Sequence, residues 1–144
     1  MRLTSPAFSD GGEIPPLYTC DGEDVSPPLE IAEIPEGTAS LALVMDDPDA
    51  PGRTFVHWVA YDIDPAARIG EAAAVGTGGL NHFGTKVYGG PCPPSGTHRY
   101  VFKLYALDRK LGRQPGLNKE QLLEAIEGHI LARAELTGLY RRER

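Results

Sequence analysis

The sequence predicts a mostly β protein, an antiparallel β-sandwich with a C-terminal α-helix. Segments rich in β-branched and aromatic residues and bounded by proline, glycine or aspartate are typical of strands, and they occur at 39–45, 54–63 and 99–108. The 17 glycines and 13 prolines are interleaved with these apolar runs, which favours ordered turns over disorder. A chain of 144 residues is expected to form a single domain over residues 1–144 around one core.

The three segments differ in their apolar pattern. The first is almost continuously apolar, which predicts a central strand covered on both faces. The second and third alternate, so His57 is expected on one face of its strand and Trp58, a core or interface residue, on the other. The stretches around Phe8 and over 29–34 are candidates for shorter strands.

A helix is predicted to begin after Asn118. Asn118 suits the N-cap position, and Gln121 at the third helical position completes a capping box. Apolar residues then recur at helical spacing; they are Leu122, Leu123, Ile126, Ile130, Leu131 and Ala134. This pattern predicts a helix that extends toward Gly138, a natural C-terminal stop. Segment 66–76 is a candidate for a second, shorter helix.

The charge balance restricts the classes of partner. The chain has 14 basic and 20 acidic residues, a formal net charge of −6, which argues against a general nucleic-acid or anionic-membrane surface because such surfaces need basic patches. Any bound anion must therefore be attracted by a local site. No run approaches the roughly eighteen apolar residues of a membrane span, and the N-terminal stretch lacks the apolar region of a signal peptide, so a cytoplasmic location is expected.

The two cysteines, Cys20 and Cys92, leave their chemistry open. Neither belongs to a CxxC motif, so zinc binding is weakly supported, and no cofactor is expected. In a cytosolic chain two reduced, part-buried thiols are the favoured interpretation. The alternatives are that the two loops meet and the pair is oxidised, or that one cysteine is a catalytic thiol.

Two clusters of polar residues lie next to predicted strands. The turn MDDPDAPG places Asp47 and Asp49 after the central strand, where turn formation before proline is their alternative role, and His57 lies on the next strand. The stretch GGPCPPSGTHRY places His98 and Tyr100 on one face of a strand start. Glycine-rich turns expose N–H groups that bind anions, and histidine and tyrosine add donors. Together the clusters predict a pocket for phosphate, sulfate or carboxylate.

These motifs resemble a known family. DPDAPG, FVHWVAYDI and GGPCPPSGTHRYVFKLYALD are similar to motifs of the phosphatidylethanolamine-binding protein family, in particular of its compact bacterial and archaeal, Raf-kinase-inhibitor-like branch. The stretches IPPLYTCDGEDVSPPLEI and AELTGLYRR resemble the same branch, so the resemblance covers about residues 5–140. One departure is Phe55, which stands where the family often has tryptophan.

The resemblance implies a β-sandwich with a small cavity at the end of the large sheet, which binds phosphate and phosphorylated head groups. The site residues that it implies are Asp47, Asp49, His57, Gly90, Pro91, His98 and Tyr100. Asp47 is expected to accept a hydrogen bond, the histidines and Tyr100 to donate to the anion, and Gly90 to let backbone approach the ligand. The family also implies a homodimer and a cis bond between Ala50 and Pro51.

The favoured function is therefore that of a non-enzymatic binding protein for an anionic or phosphorylated small ligand, with a regulatory role. A weak hydrolase is one alternative, since aspartate, histidine and tyrosine can do acid–base work, but no serine or cysteine nucleophile is paired with an evident base. A metal site at His57, His98 and the aspartates is less favoured. A protein inhibitor of kinases or proteases would act through a protein–protein surface. Whether His82 and Tyr140 border the pocket is open.

Overall fold

The computed structural model describes residues 1–142. Its elements are β1 (Arg2–Thr4), β2 (Gly12–Glu13), β3 (Leu29–Ala32), β4 (Ser40–Asp47), β5 (Phe55–Ile63), β6 (Arg68–Ile69), β7 (Thr77–Gly78), β8 (His98–Leu107), α1 (Lys119–Ile126) and β9 (Ile130–Tyr140). They form a six-stranded sheet of order β2-β9-β8-β4-β5-β7 and a three-stranded sheet of order β1-β3-β6. The prediction of a mostly β sandwich with a helix near the C-terminus is confirmed.

β4 lies inside the six-stranded sheet and has a long partner on each side. It pairs antiparallel with β5 and with β8, and β8 pairs antiparallel with β9. Every residue of β4 is buried. Successive side chains of a strand point to opposite faces, so both faces of β4 must be covered, as its continuous apolar run predicts. The three long strands expected from the sequence are confirmed as β4, β5 and β8.

Each face of the large sheet has its own core. One face packs against the three-stranded sheet, and its buried residues include Leu43, Met45, Trp58, Tyr100 and Phe102. The opposite face packs against α1, and its buried residues include Ala42, Val44, Val59, Leu122 and Ile126. Trp58 is therefore a core residue, in agreement with its prediction.

The alternation predicted for β5 is interrupted at His57. Met45 pairs with Trp58, whereas the next residue of β4, Asp46, pairs with Val56. His57 is thus an extra residue without a partner on β4. A bulge of this kind bends a strand and changes the direction of a side chain. It also places Val56 and Trp58 in different cores, although the two-residue spacing predicted one face for both.

The helix begins as predicted but ends early. The Asn118 side chain accepts a hydrogen bond from Gln121 N–H, and the Gln121 side chain accepts one from Asn118 N–H. Gly128, two residues beyond the end of α1, has a left-handed φ of +81°, which is typical of helix termini. The prediction of a helix toward Gly138 is therefore wrong. Residues 130–140 form β9, because a long ladder with β8 satisfies their backbone groups.

Segment 66–76 is not a helix. It contains β6, which pairs with β3, and Ala67 O accepts a hydrogen bond from Ile31 N–H. These long-range bonds, together with the burial of Ile69, outweigh the helix propensity of its alanines. β3 confirms one of the two shorter strands expected. The chain around Phe8 forms bends instead, and the Phe8 ring lies in the core 6.0 Å from the ring of Phe102.

A disulfide joins Cys20 to Cys92. The favoured interpretation of two reduced thiols is therefore wrong, and the alternative in which the two loops meet is confirmed. Hydrogen bonds hold these loops together, since Cys20 N–H donates to Pro91 O and the Tyr88 hydroxyl donates to Tyr18 O. Neither cysteine is left as a free thiol.

Two further expectations concern the backbone. Every peptide bond within residues 1–142 is trans, so the cis bond expected between Ala50 and Pro51 is absent. The trans isomer of an X–Pro bond is the lower in free energy, and this turn is closed without a cis bond by Asp49 N–H donating to Asp47 Oδ1. No helix within residues 1–142 is long and apolar enough to cross a membrane.

Reduction of the disulfide is expected to lower the free energy of unfolding by about 4 kcal/mol, because a cross-link between distant residues restricts the unfolded chain. The two cysteines are 72 residues apart. Urea denaturation with and without dithiothreitol measures the difference. The double variant Cys20→Ser/Cys92→Ser should match the reduced protein and should not respond to dithiothreitol. Equal midpoints for oxidised and reduced wild type would contradict this prediction.

Candidate ligand-binding site

Three strand ends meet at one edge of the large sheet. β4 ends at Asp47, and its two neighbours begin at the same edge because both run antiparallel to it. Asp47 therefore lies near His57 of β5 and near His98 and Tyr100 of β8. The topology thus brings together two sequence clusters that are far apart along the chain.

This edge encloses a cavity of about 270 Å³. Its polar lining consists of Asp47, His57, His98 and Tyr100. The rest of its lining is apolar or rich in proline and consists of Ala50, Pro51, Phe55, Phe83, Cys92, Pro93 and Pro94. A few convergent polar groups within a mostly apolar wall are typical of sites for small ligands.

A buried pair of side chains joins β4 to β8 at the cavity. Asp47 Oδ2 lies 2.7 Å from His98 Nδ1, and both side chains are almost fully buried. The other oxygen of Asp47 accepts the N–H of Asp49. Both carboxylate oxygens are therefore engaged, and the imidazole of His98 is held with Nδ1 as the donor. Its Nε2 is left for a ligand, to which it donates only when His98 is an imidazolium.

His57 is oriented by a backbone carbonyl. Its Nδ1 lies 2.7 Å from Gly89 O, and since a carbonyl only accepts, Nδ1 carries the proton. Burial lowers the pKa of His57, an effect that the Gly89 carbonyl and the Asp47 carboxylate oppose. Neutral His57 therefore presents Nε2 as an acceptor. A bound anion would favour the imidazolium and turn Nε2 into a donor.

Tyr100 contributes a buried hydroxyl. Its side chain is fully buried, and no hydrogen bond of normal geometry reaches the hydroxyl from the described part of the chain. Burial raises the pKa of Tyr100 well above its usual value, the charge of the Asp47 carboxylate and a hydrogen-bonding contact with it raise the pKa further, and a contact with the Cys92 backbone opposes the shift, so the hydroxyl keeps its proton. These contacts fall short of normal hydrogen-bond geometry, and a buried donor that is poorly satisfied costs up to about 1–3 kcal/mol. A ligand in the cavity can supply a better-aligned acceptor.

Aromatic rings surround His57. The ring centroids of Phe55, Phe83 and Tyr100 lie 5.1, 5.2 and 5.2 Å from that of His57, in edge-on arrangements. They account for its desolvation. Phe83 also reaches the surface, with 47% of its area exposed. In the sequence, the only signal for Phe83 at the cavity is its place in the glycine-rich loop GGLNHFG.

Asp49 lies outside the cavity lining and fixes the turn to β8. Its two carboxylate oxygens accept hydrogen bonds from the Arg99 guanidinium at 3.0 and 2.8 Å, and one also accepts Arg99 N–H. These bonds lower the pKa of Asp49 to about 2. The arrangement gives Asp49 a positioning role for the turn that carries Asp47.

Gly90 and Pro91 directly precede Cys92, the first residue of this stretch in the cavity wall, and do not line the cavity themselves. Gly90 N–H donates to Asp24 Oδ1, and a Cβ on Gly90 would lie only 2.3 Å from Tyr18 O. The absence of a side chain at Gly90 therefore permits close approach of the chain near Tyr18, whereas the sequence predicted approach of a ligand. Pro91 O accepts Cys20 N–H. The wall itself begins at Cys92.

Two residues left open by the sequence do not line the cavity. His82 Nδ1 accepts a hydrogen bond from Val56 N–H, which supports the bulge next to His57. The Tyr140 hydroxyl donates to Asp21 Oδ2 at 2.5 Å, and Asp21 directly follows Cys20. Both residues therefore stabilise segments near the cavity.

The three aspartates of the turn do not gather around one point. Asp46 Oδ2 lies 2.7 Å from Lys119 Nζ and 3.2 Å from Lys103 Nζ, whereas Asp47 pairs with His98 and Asp49 with Arg99. Within residues 1–142 no group of histidine, cysteine and acidic residues is arranged to hold a metal ion.

Comparison with known proteins identifies the family. A family model described as phosphatidylethanolamine-binding protein matches residues 4–141. The chain belongs to the phosphatidylethanolamine-binding protein family. Its relatives include a UPF0098 protein of Methanothermobacter thermautotrophicus, which is 51% identical over 150 aligned positions that cover 99% of this chain and 99% of the relative.

Solved structures of phosphatidylethanolamine-binding protein homologues have the same fold. A homologue from Chlamydia trachomatis, CT736, is 44% identical and superposes with a TM-score of 0.96 over 99% of this chain and 97% of its own. Escherichia coli YbcL, described as a member of the mammalian family, is 28% identical with a TM-score of 0.89, covering 99% of this chain and 98% of its own. The family and the fold implied by the sequence motifs are thus confirmed.

The substitution Tyr100→Phe is expected to leave the free energy of unfolding unchanged or to raise it by up to about 1 kcal/mol, because it removes a buried donor that has no partner. Urea denaturation measures this. The matched control is Tyr61→Phe, which should cost about 1 kcal/mol because the Tyr61 hydroxyl donates to Gln114 O and accepts Leu117 N–H. An equal loss in both variants would show that Tyr100 has a hydrogen-bond partner in the free protein.

Proposed function

We propose that the cavity binds a small anionic ligand, either phosphate or the phosphoryl group of a head group or phosphorylated residue, and that the protein acts by binding. The observation that carries this proposal is the buried Tyr100 hydroxyl, a donor without a hydrogen bond of normal geometry, at the cavity that His57 and His98 also line. Three groups that can each donate to one oxygen-rich ligand support an anion more than a neutral apolar molecule.

The Asp47 carboxylate does not oppose this proposal. Its two oxygens are engaged by His98 and by Asp49 N–H, so it orients donors rather than facing the ligand as a free charge. An imidazolium at His98 would neutralise it. The anion would then meet a protonated imidazole, a phenol and a second imidazole.

The protons of a phosphoryl group fit these groups. A phosphate monoester loses its second proton with a pKa of about 6, so at neutral pH it exchanges protons with histidines. A ligand P–OH can donate to neutral His57 Nε2, and a fully ionised phosphoryl group favours protonated His57. In both cases His57 and the ligand together hold one more proton than neutral His57 and a dianion.

Binding rather than covalent catalysis is supported by the cavity lining. It contains no serine, and its cysteine, Cys92, is bonded to Cys20. The resemblance to binding proteins of the family supports the same conclusion. We also propose that the protein acts in the cytoplasm as a homodimer.

A second candidate function, a protein inhibitor, is favoured by exposed apolar side chains in the segment that carries Phe83. Phe83 lines the cavity and is 47% exposed, and Leu80 and Val87, close to it in sequence, are 37% and 65% exposed. A partner that presents a phosphorylated side chain would fill the cavity and contact Phe83. Tighter binding of a phosphoserine peptide than of free phosphate would favour this candidate.

The affinity for an anion whose own charge does not change with pH is expected to fall as pH rises from 5.5 to 8.5. Sulfate keeps its charge over this range, so its affinity follows the protonation of the protein. Because burial lowers the pKa of His57, the loss should begin below the usual histidine range and reach up to about tenfold per pH unit for one linked proton. Isothermal titration calorimetry with sulfate and phosphate measures it, and pH-independent sulfate binding would refute the histidine model.

The variant His98→Ala is expected to weaken phosphate binding by about 10-fold to 100-fold, the range for a lost hydrogen bond to a charged group. His98→Gln keeps a donor and should weaken it less. His129→Ala is the matched control, because His129 contacts Asp108 at an exposed site outside the cavity lining. Equal affinities for His98→Ala and His129→Ala would contradict the proposal.

A further inference from the structure

The disulfide lies at the boundary between the cavity and the solvent. Cys92 is part of the cavity lining, and both Cys20 and Cys92 are solvent-exposed. Neither residue belongs to either core, so exchange at this bond does not require unfolding of a core. Exposed disulfides are more often labile or regulatory than buried ones.

We propose that the Cys20–Cys92 disulfide is a redox-active site through which a dithiol reductant weakens ligand binding in the cavity. This inference rests on the proposed function of the cavity. Reduction breaks a bond that forms part of the cavity wall, so anion affinity depends on the redox state of the surroundings.

The segment on the Cys20 side is a fixed anchor. The Thr19 hydroxyl donates to Pro16 O, and Tyr18 O accepts the Tyr88 hydroxyl. Asp24 Oδ1 accepts Gly90 N–H. These bonds do not involve sulfur and remain after reduction, so the segment and residues 88–91 stay in place.

The segment on the Cys92 side is the part that the disulfide holds. Residues 92–97 have no regular secondary structure and connect the anchored Pro91 to the first residue of β8, His98. Pro93 and Pro94 of this segment line the cavity. The disulfide is a second covalent tie between this segment and the anchor, in addition to the peptide bond from Pro91. Reduction gives the wall more conformations, and a less preorganised site binds its ligand more weakly.

The reaction is an ordinary thiol–disulfide exchange. A thiolate of the reductant attacks one of the two sulfur atoms, the Cys20–Cys92 bond breaks, and a mixed disulfide forms. The second thiolate of the reductant displaces the protein sulfur and becomes part of an oxidised dithiol. Two electrons and two protons pass to the protein, which then carries two thiols.

The local backbone favours reversal of the reaction. The hydrogen bond from Cys20 N–H to Pro91 O keeps the two cysteines in adjacent stretches of chain after reduction. Cys92 lies between Pro91 and Pro93, whose rings fix their own φ angles. This part of the cavity wall therefore keeps a limited set of conformations after reduction. A disulfide oxidant can therefore close the bond again.

The test compares phosphate binding by oxidised and reduced wild type. Isothermal titration calorimetry gives the dissociation constant before and after dithiothreitol, an uncharged reductant that does not compete as an anion, with far-ultraviolet circular dichroism recorded on each sample. Reduction is expected to raise the dissociation constant at least about fivefold, and reoxidation to restore it, while the fold persists. The variant Cys20→Ser/Cys92→Ser should bind as weakly as the reduced protein and ignore dithiothreitol.

Two outcomes overturn the inference directly: an unchanged dissociation constant on reduction, or unfolding of the reduced protein, which would make the bond structural. Failure of the oxidised protein to bind phosphate or phosphoethanolamine would instead refute the proposed function. In that case the redox inference is tested without a ligand, from the imidazole proton resonances of His57, His98 and His129. Reduction should shift the resonances of His57 and His98 and leave that of His129 unchanged. If reduction shifts none of the three, the redox inference is overturned.

Discussion

The antiparallel pairing of β4 with both β5 and β8 is the constraint on which the site depends. It places the end of one strand beside the beginnings of two others, so Asp47 meets His57, His98 and Tyr100. Because β4 is buried on both faces, two cores hold it in register. The polar groups at its end are therefore positioned by rigid strands, as a preorganised binding site requires.

The cavity concentrates features that oppose folding. Tyr100 has a buried hydroxyl without a partner, His57 is desolvated enough to lower its pKa, and Asp47 is a nearly buried carboxylate. The two apolar cores beside them offset these costs. Buried polar groups are normally satisfied, so an exception next to a cavity points to a partner that the ligand supplies.

Strands β4, β5 and β8 and the capping box of α1 could be predicted because their signals are local, in continuous or alternating apolar residues and in Asn118 with Gln121. The end of α1 could not, since Ile130 and its neighbours fit a helix or a strand equally well and the ladder with β8 decides between them. The bulge at His57 could not be predicted from the two-residue alternation of side chains along a strand. The roles of Gly90 and Cys92 depend on contacts with the chain near Cys20, and the spacing of residues along the sequence does not show such contacts.

The most direct test of the proposed anion site is the protonation of the two imidazoles, followed by long-range ¹H–¹⁵N nuclear magnetic resonance at pH 7 with and without saturating phosphate. Without ligand, His57 is expected to carry its proton on Nδ1, because that atom faces Gly89 O. Phosphate should move Nε2 of His57 and His98 toward the protonated shift and leave His129 unchanged. Unchanged Nε2 shifts at His57 and His98 would contradict an anion held by these donors.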